Sequence, residues 1–198
     1  MIIFLNGASS SGKSTIAREI MRLSDRPFLH YSVDHILNFW IDQKFIALDD
    51  IPTEWIYKDN ISTIIDGPHV IRLHVDLIEA LSVLIQKGYD VVIDELLWEP
   101  AIFNRYIHAL SLANKVYLVK VICNINTSEE REKGRDDRFA GFARTSHQYV
   151  YGPYPMYDLQ VDTTSHSAKE CAMQILTFVE EHQEPRAFVQ SLKSLEKR

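Results

Sequence analysis

The sequence is short of several things that define special classes of protein. Its 198 residues include only two cysteines, Cys123 and Cys171. That is too few for a disulfide scaffold, and both lie in apolar surroundings, which predicts reduced core residues. Seven glycines and seven prolines exclude a collagen-like or low-complexity chain. No apolar run approaches the roughly 20 residues of a membrane span. The N-terminal run Met1–Leu5 has neither the preceding basic residue nor the cleavage pattern of a secretory signal. A cytoplasmic protein without a membrane partner is therefore expected. Positive charge is also scarce: the formal net charge is -6, which argues against nucleic acid as the main partner. The eight histidines show no metal-ligand spacing of the H-E-x-x-H kind.

What remains is ordinary for a folded domain: 46% hydrophobic and 24% charged residues, too apolar for disorder. Short apolar runs alternate with helical patterns. Residues 1–5, 28–33, 90–96, 116–123 and 157–162 read as strands. Residues 12–23, 35–41, 70–87, 100–112, 127–144, 166–182 and a segment after Pro185 read as helices. Gly88 stops one helix, Pro100 opens another, and Thr127-Ser128 with Glu129-Glu130 form a cap and first turn. Near-continuous apolar strands alternating with helices imply an α/β fold, a parallel sheet covered on both faces. Residues 42–69 read as irregular, and such a long connection often carries function.

Residues 7–14, Gly-Ala-Ser-Ser-Ser-Gly-Lys-Ser, satisfy G-x-x-x-x-G-K-[ST] between an apolar strand and an amphipathic helix. Gly7 and Gly12 let the backbone curl so that the N–H groups of Ala8, Ser9, Ser10, Ser11 and their neighbours through Thr15 point inward at an anion. Lys13 reaches the β- and γ-phosphates as a point charge, and the Ser14 hydroxyl suits Mg²⁺. Nucleoside triphosphate binding, ATP with Mg²⁺, is the expectation.

Ligands of open α/β sheets bind at the carboxyl ends of the strands. Asp34 follows the second strand, and Asp94 and Glu95 follow the third. Asp34 suits a base that accepts a hydroxyl proton beside the phosphate loop, and it also suits a helix cap. Asp94 suits a role behind Ser14, holding the metal. Arg131, Lys133, Arg135, Arg138 and Arg144, with Glu132, Asp136 and Asp137 interleaved, make one segment of this acidic chain net positive. If helical, Arg131, Arg135 and Arg138 share one face at i, i+4, i+7. A lid over about 127–145 would use Arg135 and Arg138 to neutralise a transferring phosphoryl group; a solvated, internally paired helix is the plainer alternative. Trp40, Trp55, Tyr57 and Trp98 are candidates for an acceptor pocket or for core.

The motifs N-G-A-S-S-S-G-K-S (6–14), S-V-D (32–34), G-P-H (67–69), V-V-I-D-E (91–95), R-E-K-G-R-D-D-R-F-A-G-F-A (131–143) and Y-D-L-Q-V-D-T-T (157–164), with E-C-A (170–172), occur in order over residues 1 to about 180. In this the chain resembles the chloramphenicol phosphotransferase-like family of P-loop kinases. The resemblance implies ATP-dependent phosphorylation of a small-molecule hydroxyl, a sheet order 2-3-1-4-5 in a three-layer α/β/α sandwich, and Asp34 at the position of the family's proposed base. Asp136 stands where that family often has Gly, and Glu95 where Asp is common. The Tyr- and Pro-rich 150–156 segment differs from the family's His-containing version. The match is slight over 36–69 and stops before 184–198. Residues 1–183 are therefore read as one P-loop kinase-like domain and 184–198 as a helical extension. Phosphorylation of chloramphenicol, or of a nucleoside, sugar or polyol, and a nucleotide-binding regulatory module without an acceptor, all remain open at this point.

Overall fold

A computed structural model describes residues 1–36, 53–58, 61–66, 68–97, 100–135, 140–151 and 156–195. Seven strands and seven helices follow one another as β1 (Ile2–Gly7), α1 (Lys13–Leu23), β2 (Phe28–Tyr31), β3 (Thr53–Lys58), β4 (Ile61–Asp66), α2 (Pro68–Gln86), β5 (Asp90–Glu95), α3 (Pro100–Leu110), β6 (Val116–Ile122), α4 (Ile125–Lys133), α5 (Phe142–Tyr149), β7 (Leu159–Asp162), α6 (Ala168–Glu181) and α7 (Ala187–Leu195) among these residues. Five strands form a parallel sheet in the order β2-β5-β1-β6-β7. Counted within that sheet this is 2-3-1-4-5, as expected.

The register explains why the strands are apolar throughout. Alternate residues of β1 enter two different cores. Ile2 and Phe4 join Val91, Ile93, Val116 and Leu118 against α2, α3 and α7. Ile3 and Leu5 join Val92, Val119 and Val121 against α1 and α6. With both faces covered, every position of β1 is buried. Helix α1 contributes Ile16, Ala17 and Ile20, all fully buried, and burying each isoleucine stabilises by roughly 2–3 kcal/mol. Ser167 and Glu170 close a reciprocal capping box on α6. Both cysteines are free and buried. No helix of the described residues is long and apolar enough to cross a membrane.

Three expectations are corrected. Residues 53–66, read as irregular, carry an antiparallel pair, β3 with β4, in which Trp55 opposes Ile64. The helix expected over 127–144 is two helices: α4 ends at Lys133 with Gly134 as its cap, and α5 begins after Gly141, whose φ of 88° favours glycine. The start of α4 is capped by the Asn124 side chain accepting from Asn126 N, three residues before Thr127-Ser128. The extra helix α7 is not loosely attached. Ala187 and Phe188 are buried, and Asp158 accepts from Arg186 N at 2.8 Å, Ala187 N at 2.9 Å and Leu118 N at 2.9 Å. Trp40 and Trp98 lie outside the described residues, as do the side chains of Trp55 and Tyr57 on β3.

Candidate active site

The loop between β1 and α1 curls because two backbone positions take positive φ: Ser10 at 59° and Gly12 at 95°. Gly7 is needed for a different reason. A Cβ there would lie 2.5 Å from the Val121 carbonyl oxygen and 2.8 Å from Ser11 Oγ, so the loop can pass β6 only without a side chain. Gly12 supplies no side-chain cap to α1, and the helix has no acid in its first turn. Its N-terminal N–H groups and positive dipole end are left for an anion. The Ser9, Ser10 and Ser11 hydroxyls are buried without a hydrogen-bond partner. Lys13 folds back over the loop, its Nζ donating to the Gly7 carbonyl at 2.9 Å and the Ala8 carbonyl at 3.0 Å.

On the other side of β1, β5 ends in two carboxylates, Asp94 and Glu95. Asp94 is 6% exposed, with Oδ1 3.9 Å from Lys13 Nζ and Oδ2 3.7 Å from His30 Nε2. Burial pushes its carboxyl up, but His30, the Lys13 charge and the Ser14 hydroxyl outweigh it and hold the group at about 2. Asp94 is thus a charged oxygen donor beside Ser14 at neutral pH, a hard pair of the type that suits Mg²⁺. Glu95 points to the opposite face, where it accepts from Leu96 N at 2.9 Å and from the Tyr106 hydroxyl, with His74 Nε2 3.6 Å away. Burial, then the Glu95 charge, keeps the Tyr106 phenol protonated far above its usual range.

Asp34 lies in a helical turn at 33–36, just past β2, where Ile36 N donates to the Ser32 carbonyl at 3.1 Å. It is exposed and faces the same cleft as the phosphate loop. That cleft, about 370 Å³, is lined by Ser9, Lys13, Ser14, Asp34, Asp94 and Arg135 among others. His35 and Glu95 also reach it. Burial pulls the His35 imidazole below its usual range, more than the Asp94 charge raises it.

Arg131 and Arg135 do not share a helical face, because α4 ends at Lys133, yet both line the cleft. Arg131 lies in α4 and reaches the residue just after β7, its Nη1 donating to Thr163 Oγ1 at 3.0 Å and its Nη2 to the Thr163 carbonyl at 2.8 Å. Arg135 lies beyond the helix end, on the cleft wall, with its N–H donating to the Glu132 carbonyl at 3.0 Å. Gly134, a poor helix former, separates the two. Arg138 falls outside the described residues.

Sequence reasoning did not anticipate several residues that shape the loop. Thr163 Oγ1 donates to the Ser11 carbonyl at 2.7 Å, so it links the phosphate loop to Arg131; its place in the V-D-T-T motif was the available signal. Asn6, fully buried, donates from Nδ2 to the Val150 carbonyl at 3.0 Å and to Tyr157 Oη at 2.6 Å, and accepts from Leu97 N at 3.0 Å. Nothing in the local sequence marks Ser146, whose Oγ accepts from Ser9 N at 2.9 Å.

The profile of the chloramphenicol phosphotransferase-like protein family matches residues 1–180. The chain belongs to this family. A Mycobacterium tuberculosis (strain H37Rv) relative that bears the name "Putative O-phosphotransferase" is 25% identical over 185 residues, which is 88% of this chain and 80% of the relative. Among solved structures, the APS kinase CysC of M. tuberculosis superposes with a TM-score of 0.61 at 14% identity, covering 90% of this chain and 96% of the other. A gluconokinase of Sinorhizobium meliloti gives 0.57 at 16%, over 90% and 91%. The Aquifex aeolicus shikimate kinase gives 0.53 at 17%, over 91% and 97%. These likenesses concern the fold, which is that of the P-loop kinases. Family and fold together make this family member a kinase-type phosphotransferase acting on a small molecule.

Proposed function

We propose that the protein transfers the γ-phosphoryl group of ATP to a hydroxyl of a small molecule. The carrying observation is that one cleft of about 370 Å³ holds the phosphate loop, Asp34 and Arg135 on its walls. A module that only bound nucleotide would need neither of the last two. The loop N–H groups from Ala8 to Thr15 and Lys13 would hold the ATP phosphates. Ser14 and Asp94 would hold Mg²⁺, which when bound neutralises phosphate charge.

In the transfer, the acceptor oxygen forms a bond to the γ-phosphorus as the bond from that phosphorus to the β–γ bridging oxygen breaks. The hydroxyl proton passes to the Asp34 carboxylate, and ADP leaves with the bridging electron pair. Arg135, with Arg138 as its expected companion, stabilises the charge that develops on the transferring group. Positioning and electrostatics carry this chemistry, since no covalent enzyme intermediate is involved. The acceptor is one of the hydroxyl compounds of the phenicol, nucleoside, sugar or polyol classes, and the site of action is the cytoplasm. Residues 1–183 act as the kinase unit, with 184–198 as its extension.

The test is Asp34→Asn. It should retain Mg-ATP binding and lose acceptor-dependent ADP formation by roughly 10²- to 10⁴-fold. A panel of phenicols, nucleosides, sugars and polyols screened for ADP release supplies the acceptor. Full turnover by Asp34→Asn would remove Asp34 from the role of base.

A further inference from the structure

Glu132 sits in the middle of the basic segment, yet both of its oxygens are spent on main-chain N–H groups. Oε2 accepts from Gly141 N at 2.8 Å and Oε1 from Ala143 N at 2.6 Å. The carboxylate is 6% exposed. It therefore ties the end of α4 to the start of α5, where helix N–H groups have no partner within the helix. One turn further along α5, the fully buried Ser146 donates to the Ala143 carbonyl at 2.8 Å and accepts from Ser9 N at 2.9 Å. After the helix, Tyr151 donates to the Val121 carbonyl at 2.7 Å and receives Ala8 N at 3.4 Å. The Val150 carbonyl takes the Asn6 amide. Helix α5 and the two residues after it are thus fastened at one end to Glu132 and at the other to Asn6 at the end of β1 and to Ala8 and Ser9 of the phosphate loop. Arg135 is fastened to the same Glu132 through its own N–H.

A serine–main-chain bond and a glutamate helix cap are each common as stability devices. Here they act in series. The main chain that carries Arg135 to the cleft wall and the loop that cradles the phosphates are the two ends of one short chain of hydrogen bonds. The path runs from Arg135 through Glu132, α5 and Ser146 to Ser9.

We propose that α5 is a strut, with Glu132 and Ser146 as positioning residues that fix Arg135 relative to the phosphate loop, so that a nucleoside triphosphate is gripped by both at once. This rests on the reading of Arg135 as a γ-phosphate cation. A diphosphate, lacking the γ group, gains little from the alignment. The strut therefore acts on the preference for triphosphate over diphosphate, which a merely structural bond would leave unchanged.

The test is a double-mutant cycle on the full chain with Arg135→Ala and Ser146→Ala. Calorimetry gives the dissociation constants of Mg-ADP and of a Mg-bound, non-hydrolysable ATP analogue. Their ratio is the triphosphate preference. Arg135→Ala should cut that preference about tenfold when Ser146 is present, the size of one charge-assisted hydrogen bond. In the Ser146→Ala background it should cut it less than about threefold. Glu132→Gln breaks the other end of the strut and keeps one acceptor oxygen. It should reduce the Arg135→Ala effect in the same way, and it serves if Ser146→Ala does not fold. An equal Arg135→Ala effect in all backgrounds overturns the strut and leaves the proposed reaction standing. No effect of Arg135→Ala on the preference in the parent protein overturns the role of Arg135, and the strut with it.

Discussion

Thr163→Val tests whether the V-D-T-T segment supports the phosphate loop. The side chain is 4% exposed, and its hydroxyl donates to the Ser11 carbonyl at 2.7 Å while accepting from Arg131 Nη1 at 3.0 Å. Valine preserves the shape and removes both bonds. The neutral bond is worth about 1 kcal/mol, and the guanidinium bond about as much once solvent screening of an exposed arginine is allowed for. Arg131 keeps its second bond, to the Thr163 carbonyl, so the total loss should be about 2 kcal/mol. For a chain of this size that corresponds to a fall in melting temperature of roughly 4–8 °C. Urea unfolding should show a lower midpoint with an unchanged slope. Thr163→Ser, which retains the hydroxyl, should lose less than half as much. A valine variant within about 0.5 kcal/mol of the parent, or a serine variant as weak as valine, would refute the assignment of the hydroxyl as the link.

Further outcomes follow from the same geometry. Lys13→Ala should abolish the melting-temperature increase produced by Mg-ATP, and a full increase would sink the phosphate-loop reading. Gly7→Ala drives a Cβ to 2.5 Å from the Val121 carbonyl. It should destabilise by roughly 1–3 kcal/mol in chemical denaturation, and a neutral result would mean that the loop shifts freely. The Asp94 carboxyl is lowered from 3.8 to about 2 in the folded protein. A depressed carboxylate stabilises the fold fully above the unfolded value and loses that contribution as pH falls toward the folded one. Asp94→Asn should therefore cost about 2 kcal/mol at pH 7. Its deficit in urea unfolding should shrink as pH falls from about 4 toward 2, and a deficit of constant size across that window would contradict the ion-pair account.

Much of this architecture is legible in the residues, and the legible part has a common cause. The strands of the main sheet are buried on both faces, so their apolar runs stand out without any knowledge of their neighbours. The phosphate loop is legible because its chemistry is local: two glycines, a lysine and a serine meet within eight residues. The antiparallel pair β3–β4 was less so. Thr-Glu-Trp-Ile-Tyr-Lys and Ile-Ser-Thr-Ile-Ile-Asp lack clean alternation, and the signal that could have found them was the two-residue Asp59-Asn60 connection between them. The basic segment misled because an i, i+4, i+7 pattern presumes an unbroken helix, whereas Gly134 ends it. Glu132, Ser146 and Tyr151 were not legible at all. Their long-range partners lie 9 to 143 residues away in sequence, and their roles exist only once the chain has closed on itself.

Asn6 carries a consequence of its own. A polar amide at the end of a strand otherwise packed with isoleucine, phenylalanine and leucine holds the segment after β5 on one side and the segment after α5 on the other. It is not itself part of the cleft wall, yet both flanks of the nucleotide-facing end of the sheet are aligned through its three contacts. Removing the amide leaves a main-chain N–H, a main-chain carbonyl and a phenol short of a partner at once. In a genetic screen for inactive variants such a residue would be scored among the catalytic ones, although its work is finished before any substrate arrives.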